Sequence, residues 1–153
     1  LFIAEYRENY SATHLPHTPL NPGMGDALVE LKKTWRLAIV TSKPEPQALI
    51  AIQATGVRHY FDIVVGPHDD SEIPKAQLLQ RALREMNELH GELPPLTSCW
   101  MIGDRHHDID AGVEVGTHTA GVLWGFGSRE ELSSAGATAV VETPQELVAV
   151  LNN

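Results

Sequence analysis

Five near-continuous apolar runs, each about the length of a strand, recur along this chain with helical spacing between them. They fall at residues 37–40, 61–65, 99–102, 119–123 and 139–141. A strand that is apolar at almost every position has no side to give to water, so both of its faces must be covered. The intervening stretches can supply that cover. Ala27, Leu28 and Leu31 repeat at helical spacing, and Leu49, Ile50 and Ile52 form a second short set. A longer stripe runs through Leu78, Leu79, Ala82, Leu83, Met86 and Leu89, with shorter ones at Ile109, Ala111 and Val113 and at Leu147, Val148 and Leu151. Pro44, Pro46, Gly66-Pro67, Gly91, Pro94-Pro95 and Gly116 punctuate the pattern. Ser128 with Glu131, and Thr143-Pro144 with Glu146, have capping-box spacing at two helix starts. Strand–helix alternation of this kind specifies an α/β domain built on a parallel sheet.

In such a sheet, ligands bind beyond the carboxyl ends of the strands. Thr41, Ser42 and Lys43 follow the first run, and Gly103, Asp104, Arg105 and Asp108 follow the third. Lys75, just after Pro74, opens the long helix between them. Hydroxyls and helix-start amides can hold phosphate oxygens. A lysine can neutralise a phosphoryl group or orient a carboxylate. Asp104 and Asp108, four apart across a strand-to-helix turn, can face one hard cation, and oxygen ligands of this sort suit Mg²⁺. Gly103 is expected to allow a sharp turn before Asp104. Arg105 is expected to play a local structural role, and Trp124, Gly125, Phe126 and Gly127 to shape a loop beside the site. Asp69 and Asp70 read as solvent-facing. His106 and His107 lack a repeated ligand spacing, and Cys99, inside an apolar run, reads as core.

The chain has 153 residues, of which 42% are hydrophobic and 20% charged, which suits one globular domain. Its formal net charge of -9 argues against non-specific nucleic-acid binding, which needs a basic footprint. It does not oppose a phosphorylated substrate held by a local site or a metal. No run of about eighteen apolar residues is present to span a membrane. Glu5, Arg7 and Glu8 interrupt any apolar core of a signal peptide. One cysteine allows no internal disulfide, and a reducing cytoplasm is the expected setting. Pro16, Pro19, Pro22, Gly23 and Gly25 mark a linker or hinge.

Four segments together carry a family resemblance. LAIVTSKPEPQALI (residues 37–50) resembles the second motif of the haloacid dehalogenase superfamily, a hydrophobic strand ending in Thr or Ser. IPKAQLLQRAL (73–83) resembles the third, with its lysine at Lys75. CWMIGDRHHDIDAG (99–112) resembles the fourth, a hydrophobic run followed by GDxxxD. GVLWGFGSREEL (121–132), followed by AGATAVVETPQEL (135–147), is similar to the tail of phosphoglycolate phosphatase-like members. The match runs in order from about Tyr6 to Leu147.

The resemblance implies a three-layer α/β/α Rossmann-like core at residues 23–153, preceded at 1–22 by the remnant of a helical cap and its hinge. It implies a Mg²⁺-dependent phosphatase acting on a small phosphorylated substrate, a phosphoglycolate- or nucleotide-like monoester, through an aspartyl-phosphate. Thr41 and Ser42 would bind the phosphoryl group, Lys75 would bridge it to the nucleophile, and Asp104 and Asp108 would serve the metal. A phosphomutase or phosphonatase on the same core is a related reading. The family's first motif, DxDGT at the end of the first strand, finds no match in these residues. The nucleophile is therefore expected to lie outside this chain, and the sheet to lack its first, central strand between those ending at Thr41 and Asp104. The chain alone is expected to be inactive. The alternative is a non-catalytic regulatory or binding module on a degenerate core.

Overall fold

The computed structural model describes residues 2–4, 20–92 and 94–153. Phe2–Ala4 forms a strand, β1, and the five apolar runs form β2 (Leu37–Val40), β3 (Ile63–Val65), β4 (Trp100–Gly103), β5 (His118–Val122) and β6 (Ala139–Val141). Helices α1 (Met24–Lys32), α2 (Glu45–Ala54), α3 (Lys75–His90), α4 (His106–Val115), α5 (Arg129–Ser134) and α6 (Pro144–Leu151) alternate with them. The sheet is parallel throughout, in the order β3-β2-β1-β4-β5-β6. All four residues of β2 are buried, as a strand covered on both faces must be.

Two apolar cores result. On one face Leu28 and Leu31 of α1, Ile52 of α2, and Leu147 and Leu151 of α6 pack on Leu37, Ile39 and Ile102. On the other, Leu78, Leu79, Ala82 and Met86 of α3 pack on Ala38, Val40 and Met101. Each such fully buried side chain contributes about 1.5–3 kcal/mol relative to exposure. Cys99 lies in this second core with its thiol pKa pushed up by burial, in keeping with its reading as core. α4 ends at Gly116, whose φ of 94° is a left-handed cap that glycine adopts without strain.

The expectation of an empty central slot is overturned. Phe2–Ala4 occupies it, with Ile3 opposite both Ala38 and Met101. Parallel neighbours on both sides present rows of N–H and C=O groups that must be paired, and an apolar tripeptide satisfies them. Residues 1–10 mix apolar and charged positions, a local pattern that does not announce a buried strand, and non-local pairing outweighs it. Of the expected cap remnant and hinge, only 2–4 and 20–22 are described; residues 5–19 lie outside the described residues.

Candidate active site

β2 and β4 flank β1, and all three run the same way, so their carboxyl ends share one edge of the sheet. Neighbouring strands lie about 4.8 Å apart, which places the ends of β2 and β4 roughly 10 Å from each other. Thr41 leaves β2 at that edge and Asp104 leaves β4. Both are buried, at 3% and 6% exposure.

The Thr41 amide donates to the Val65 carbonyl at 2.9 Å, which continues the β2–β3 ladder by one residue. Its hydroxyl accepts from the Lys43 amide at 3.1 Å. Thr41 is thus a turn residue rather than the cap of α2, whose N-cap is Pro44. Ser42 follows it and is exposed. Behind this loop stands Arg81 of α3. Its guanidinium donates to Glu45 at 2.7 Å, to Glu85 at 2.7 Å and to the Gly66 carbonyl at 2.8 Å. The helix that carries Lys75 is thereby tied to the loops after β2 and β3. Nothing in the sequence pattern singled out Arg81; only its spacing from Glu85 was visible as a helical ion pair.

Lys75 is the first residue of α3, and its side chain points inward to a buried carboxylate. Lys75 Nζ lies 3.4 Å from Asp108 Oδ1, with the two side chains 5% and 0% exposed. Asp108 Oδ2 accepts the Arg105 amide at 3.1 Å, so the carboxylate reaches back over the start of its own helix. Gly103 has a different role from the sharp turn expected of it. It lies within β4 without positive φ, and a Cβ there would fall 2.1 Å from Asp108 Cβ. Glycine is required so that Asp108 can tuck against the strand.

Asp104 Oδ2 accepts the Phe126 amide at 2.7 Å. Its other oxygen, Oδ1, is buried without a hydrogen-bond partner among the described residues. Arg105 turns away to Glu131, which accepts Arg105 Nε at 2.8 Å, the His106 amide at 2.9 Å and His106 Nδ1 at 3.0 Å. These bonds, the Arg105 one foremost, hold the Glu131 carboxyl at about 2, below the usual glutamate range. The sequence had marked Glu131 only as the third helical residue of a capping box. Ser128 does accept the Glu131 amide at 3.1 Å, but the carboxylate crosses to Arg105 instead of returning to its own cap. Asp69 and Asp70 are exposed, and Asp69 serves the turn at Ser71.

The orphaned Asp104 Oδ1 fits a hard divalent cation. Among the described residues no group of three or more His, Cys, Asp or Glu side chains gathers. A cation here would take one or two carboxylates and complete its shell from water and substrate, as Mg²⁺ commonly does.

The family described as haloacid dehalogenase-like hydrolase matches residues 1–122. The chain belongs to the haloacid dehalogenase-like hydrolases. Pyrophosphatase PpaX of Bacillus cereus is 31% identical over 153 residues, covering 99% of this chain and 68% of that protein. Tyrosine-protein kinase PtkA of Mycobacterium tuberculosis is 33% identical over 140 residues, covering 90% of this chain but 46% of its own length. Among solved structures, a predicted phosphatase from Clostridium acetobutylicum superposes with a TM-score of 0.77 at 29% identity, covering 86% of this chain and 59% of that one. The chain therefore spans about half the length of several relatives it matches. The haloacid dehalogenase fold with its parallel α/β sheet is as the motifs implied. Among the described residues no helix is long and apolar enough to cross a membrane.

Proposed function

We propose that these residues form the phosphate- and metal-binding part of a phosphatase site that hydrolyses a small phosphate monoester, phosphoglycolate- or nucleotide-like. The observation that carries the reading is the buried Lys75–Asp108 pair beside Asp104, whose Oδ1 is unpartnered. Thr41 offers its hydroxyl, and the exposed Ser42 its hydroxyl and amide, to phosphoryl oxygens. Lys75 neutralises phosphoryl charge while Asp108 fixes its ammonium. Asp104 is the direct ligand for Mg²⁺; Asp108, already engaged at both oxygens, acts chiefly through Lys75 and the loop at Arg105. Bound Mg²⁺ would act as a Lewis acid that shields the phosphoryl oxygens.

The family chemistry is covalent catalysis by a carboxylate. The nucleophile attacks phosphorus, the ester oxygen leaves with a proton, and water then cleaves the aspartyl-phosphate. No DxDGT motif occurs in the 153 residues, so the nucleophile is assigned to a segment outside them, whose strand would take the central position that Phe2–Ala4 holds here, and the isolated chain is expected not to turn over. Similarity to a protein named a tyrosine-protein kinase favours a second reading, in which the phosphoryl group passes to an acceptor other than water.

The test is binding without turnover. The chain should bind inorganic phosphate more tightly with Mg²⁺ present, and Thr41→Val and Lys75→Met should each weaken that binding at least tenfold. Unchanged affinity in both variants would remove the phosphoryl-binding role. Hydrolysis of p-nitrophenyl phosphate by the isolated chain at a rate matching a full-length relative would remove the external nucleophile.

A further inference from the structure

We propose that the loop after β5 and the start of α5 form a clamp that aims Asp104, with Gly125, Gly127 and Glu131 as its positioning residues. The inference rests on the reading of Asp104 as the metal ligand, and deepens it.

A carboxylate held at one oxygen has its other oxygen aimed by the grip. Two amides of the loop supply that grip. Phe126 donates to Asp104 Oδ2 at 2.7 Å, and Gly127 donates to the Asp104 main-chain carbonyl at 2.8 Å. What remains is Oδ1, buried and unpartnered. The loop comes so close that side chains are forbidden on either side of Phe126. A Cβ at position 125 would lie 2.3 Å from Asp104 Cβ and Oδ2, and one at 127 would lie 2.1 Å from the Asp104 carbonyl oxygen. Neither glycine has positive φ. Both are therefore required by contact with Asp104 and not by a turn, which a conformational reading of glycine would miss.

Four residues further on, the same segment takes hold again. Glu131 accepts Arg105 Nε, the His106 amide and His106 Nδ1. α5 itself is seated firmly. Leu132 is fully buried, and it lies so close to β5 that a Cβ at Gly121 would fall 2.9 Å from it. Residues 104–106 are thus pinned at two points by one segment docked on the sheet. Metal ligands oriented by a surrounding hydrogen-bonded shell commonly lose 10–100-fold in affinity when that shell is removed.

The experiment combines amide exchange by NMR with Mn²⁺ titration, Mn²⁺ serving as the probe for the hard-cation site. It compares the unaltered chain, Gly125→Ala, Glu131→Gln, and Gly25→Ala as an outside control with open space around it. The unaltered chain should protect the Phe126 amide. Gly125→Ala should speed its exchange and weaken Mn²⁺ at least tenfold, and Glu131→Gln should weaken Mn²⁺ severalfold, while amides of β2 and β5 keep their protection. Equal Phe126 exchange in Gly125→Ala and the unaltered chain would overturn the clamp. So would Mn²⁺ affinities within twofold of the unaltered chain in both variants. If Gly125→Ala does not fold, Glu131→Gln decides by the same Mn²⁺ criterion. An unaltered chain that protects Phe126 yet binds no Mn²⁺ would retain the clamp and discard the metal reading of Asp104.

Discussion

Replacing Lys75 by Met tests whether the buried ion pair organises the site. Lys75 Nζ and Asp108 Oδ1 stand 3.4 Å apart with almost no solvent contact. At an effective dielectric of about 20, that separation corresponds to a gross attraction of about 5 kcal/mol. Desolvation of the two ions offsets most of it, so the pair adds little net stability. Breaking it is a different matter, because one charge is then left buried. Such losses run at about 3–5 kcal/mol. Asp108 keeps the Arg105 amide at 3.1 Å, which places Lys75→Met near the lower end, about 3 kcal/mol. For a domain of this size that lowers Tm by roughly 6–12 °C. Asp108→Asn should cost a similar amount by removing the carboxylate charge that faces the buried ammonium. The double variant removes both charges and should be no less stable than either single one, giving a coupling of at least about 3 kcal/mol. Urea unfolding of the four proteins measures the cycle. Additivity within about 0.5 kcal/mol, or a single-variant cost below about 1 kcal/mol, would show that the two charges are not coupled and would refute the reasoning.

Asp104→Asn should stabilise the metal-free chain by about 1 kcal/mol, because it removes a buried charge with one oxygen lacking a hydrogen-bond partner among the described residues. On the proposed metal reading Mg²⁺ should raise the Tm of the parent, with about 2.7 kcal/mol of stabilisation at a hundredfold excess over Kd, and Asp104→Asn should abolish that rise. Thermal scans with and without Mg²⁺ check both. Gly103→Ala should destabilise by at least about 2 kcal/mol, since its Cβ would meet Asp108 at 2.1 Å; urea midpoints read this directly. The depressed Glu131 carboxyl contributes stability in full above the unfolded value of 4.5, and loses it as pH falls toward about 2. The stability difference between the parent and Glu131→Gln should accordingly be constant above pH 5.5 and shrink steadily between about 4.5 and 3, as followed by urea titrations at each pH. Gly25→Ala, on α1 with nothing within 4 Å, should stabilise by about 0.5–1 kcal/mol, and a lowered Tm would show that the position is not open.

Strands β2 to β6 were legible within a residue or two because strands buried on both faces are written as apolar runs whatever lies beside them. The amphipathic stripe of α3 was legible for the same kind of reason, its period being local. β1 was not. Phe2–Ala4 is short, and its assignment depends on partners 35 and 98 positions away along the chain, which no local pattern encodes. Thr41, Lys75, Asp104 and Asp108 could be assigned to one edge of the sheet because each stands just beyond a strand or in the first turn of a helix. The groups that hold them could not. Arg81 and Glu131 look like ordinary helix-surface charges in sequence, and their partners come from other elements. Gly103, Gly125 and Gly127 were visible as glycines, but the reason for each is the volume of an aspartate that only the fold brings near.

The site divides into two halves that share a design. Thr41 and Lys75 belong to loops and a helix tied together by Arg81 through Glu45 and the Gly66 carbonyl. Asp104 and Asp108 belong to a turn tied down by Glu131 through Arg105 and His106. In each half a polar network lies behind the strand ends, while at the edge one buried acceptor, Asp104 Oδ1, has no hydrogen-bond partner among the described residues. That arrangement is costly in a protein that only needs to fold, since buried acceptors without donors lower stability. The Lys75–Asp108 contact joins the halves, and on the proposed reading a divalent cation would meet the carboxylate at Asp104 and would itself be satisfied in turn by the phosphoryl group. On that reading Asp104 is what selects the ligand: without its unpartnered Oδ1 the site would have no direct ligand to offer the cation.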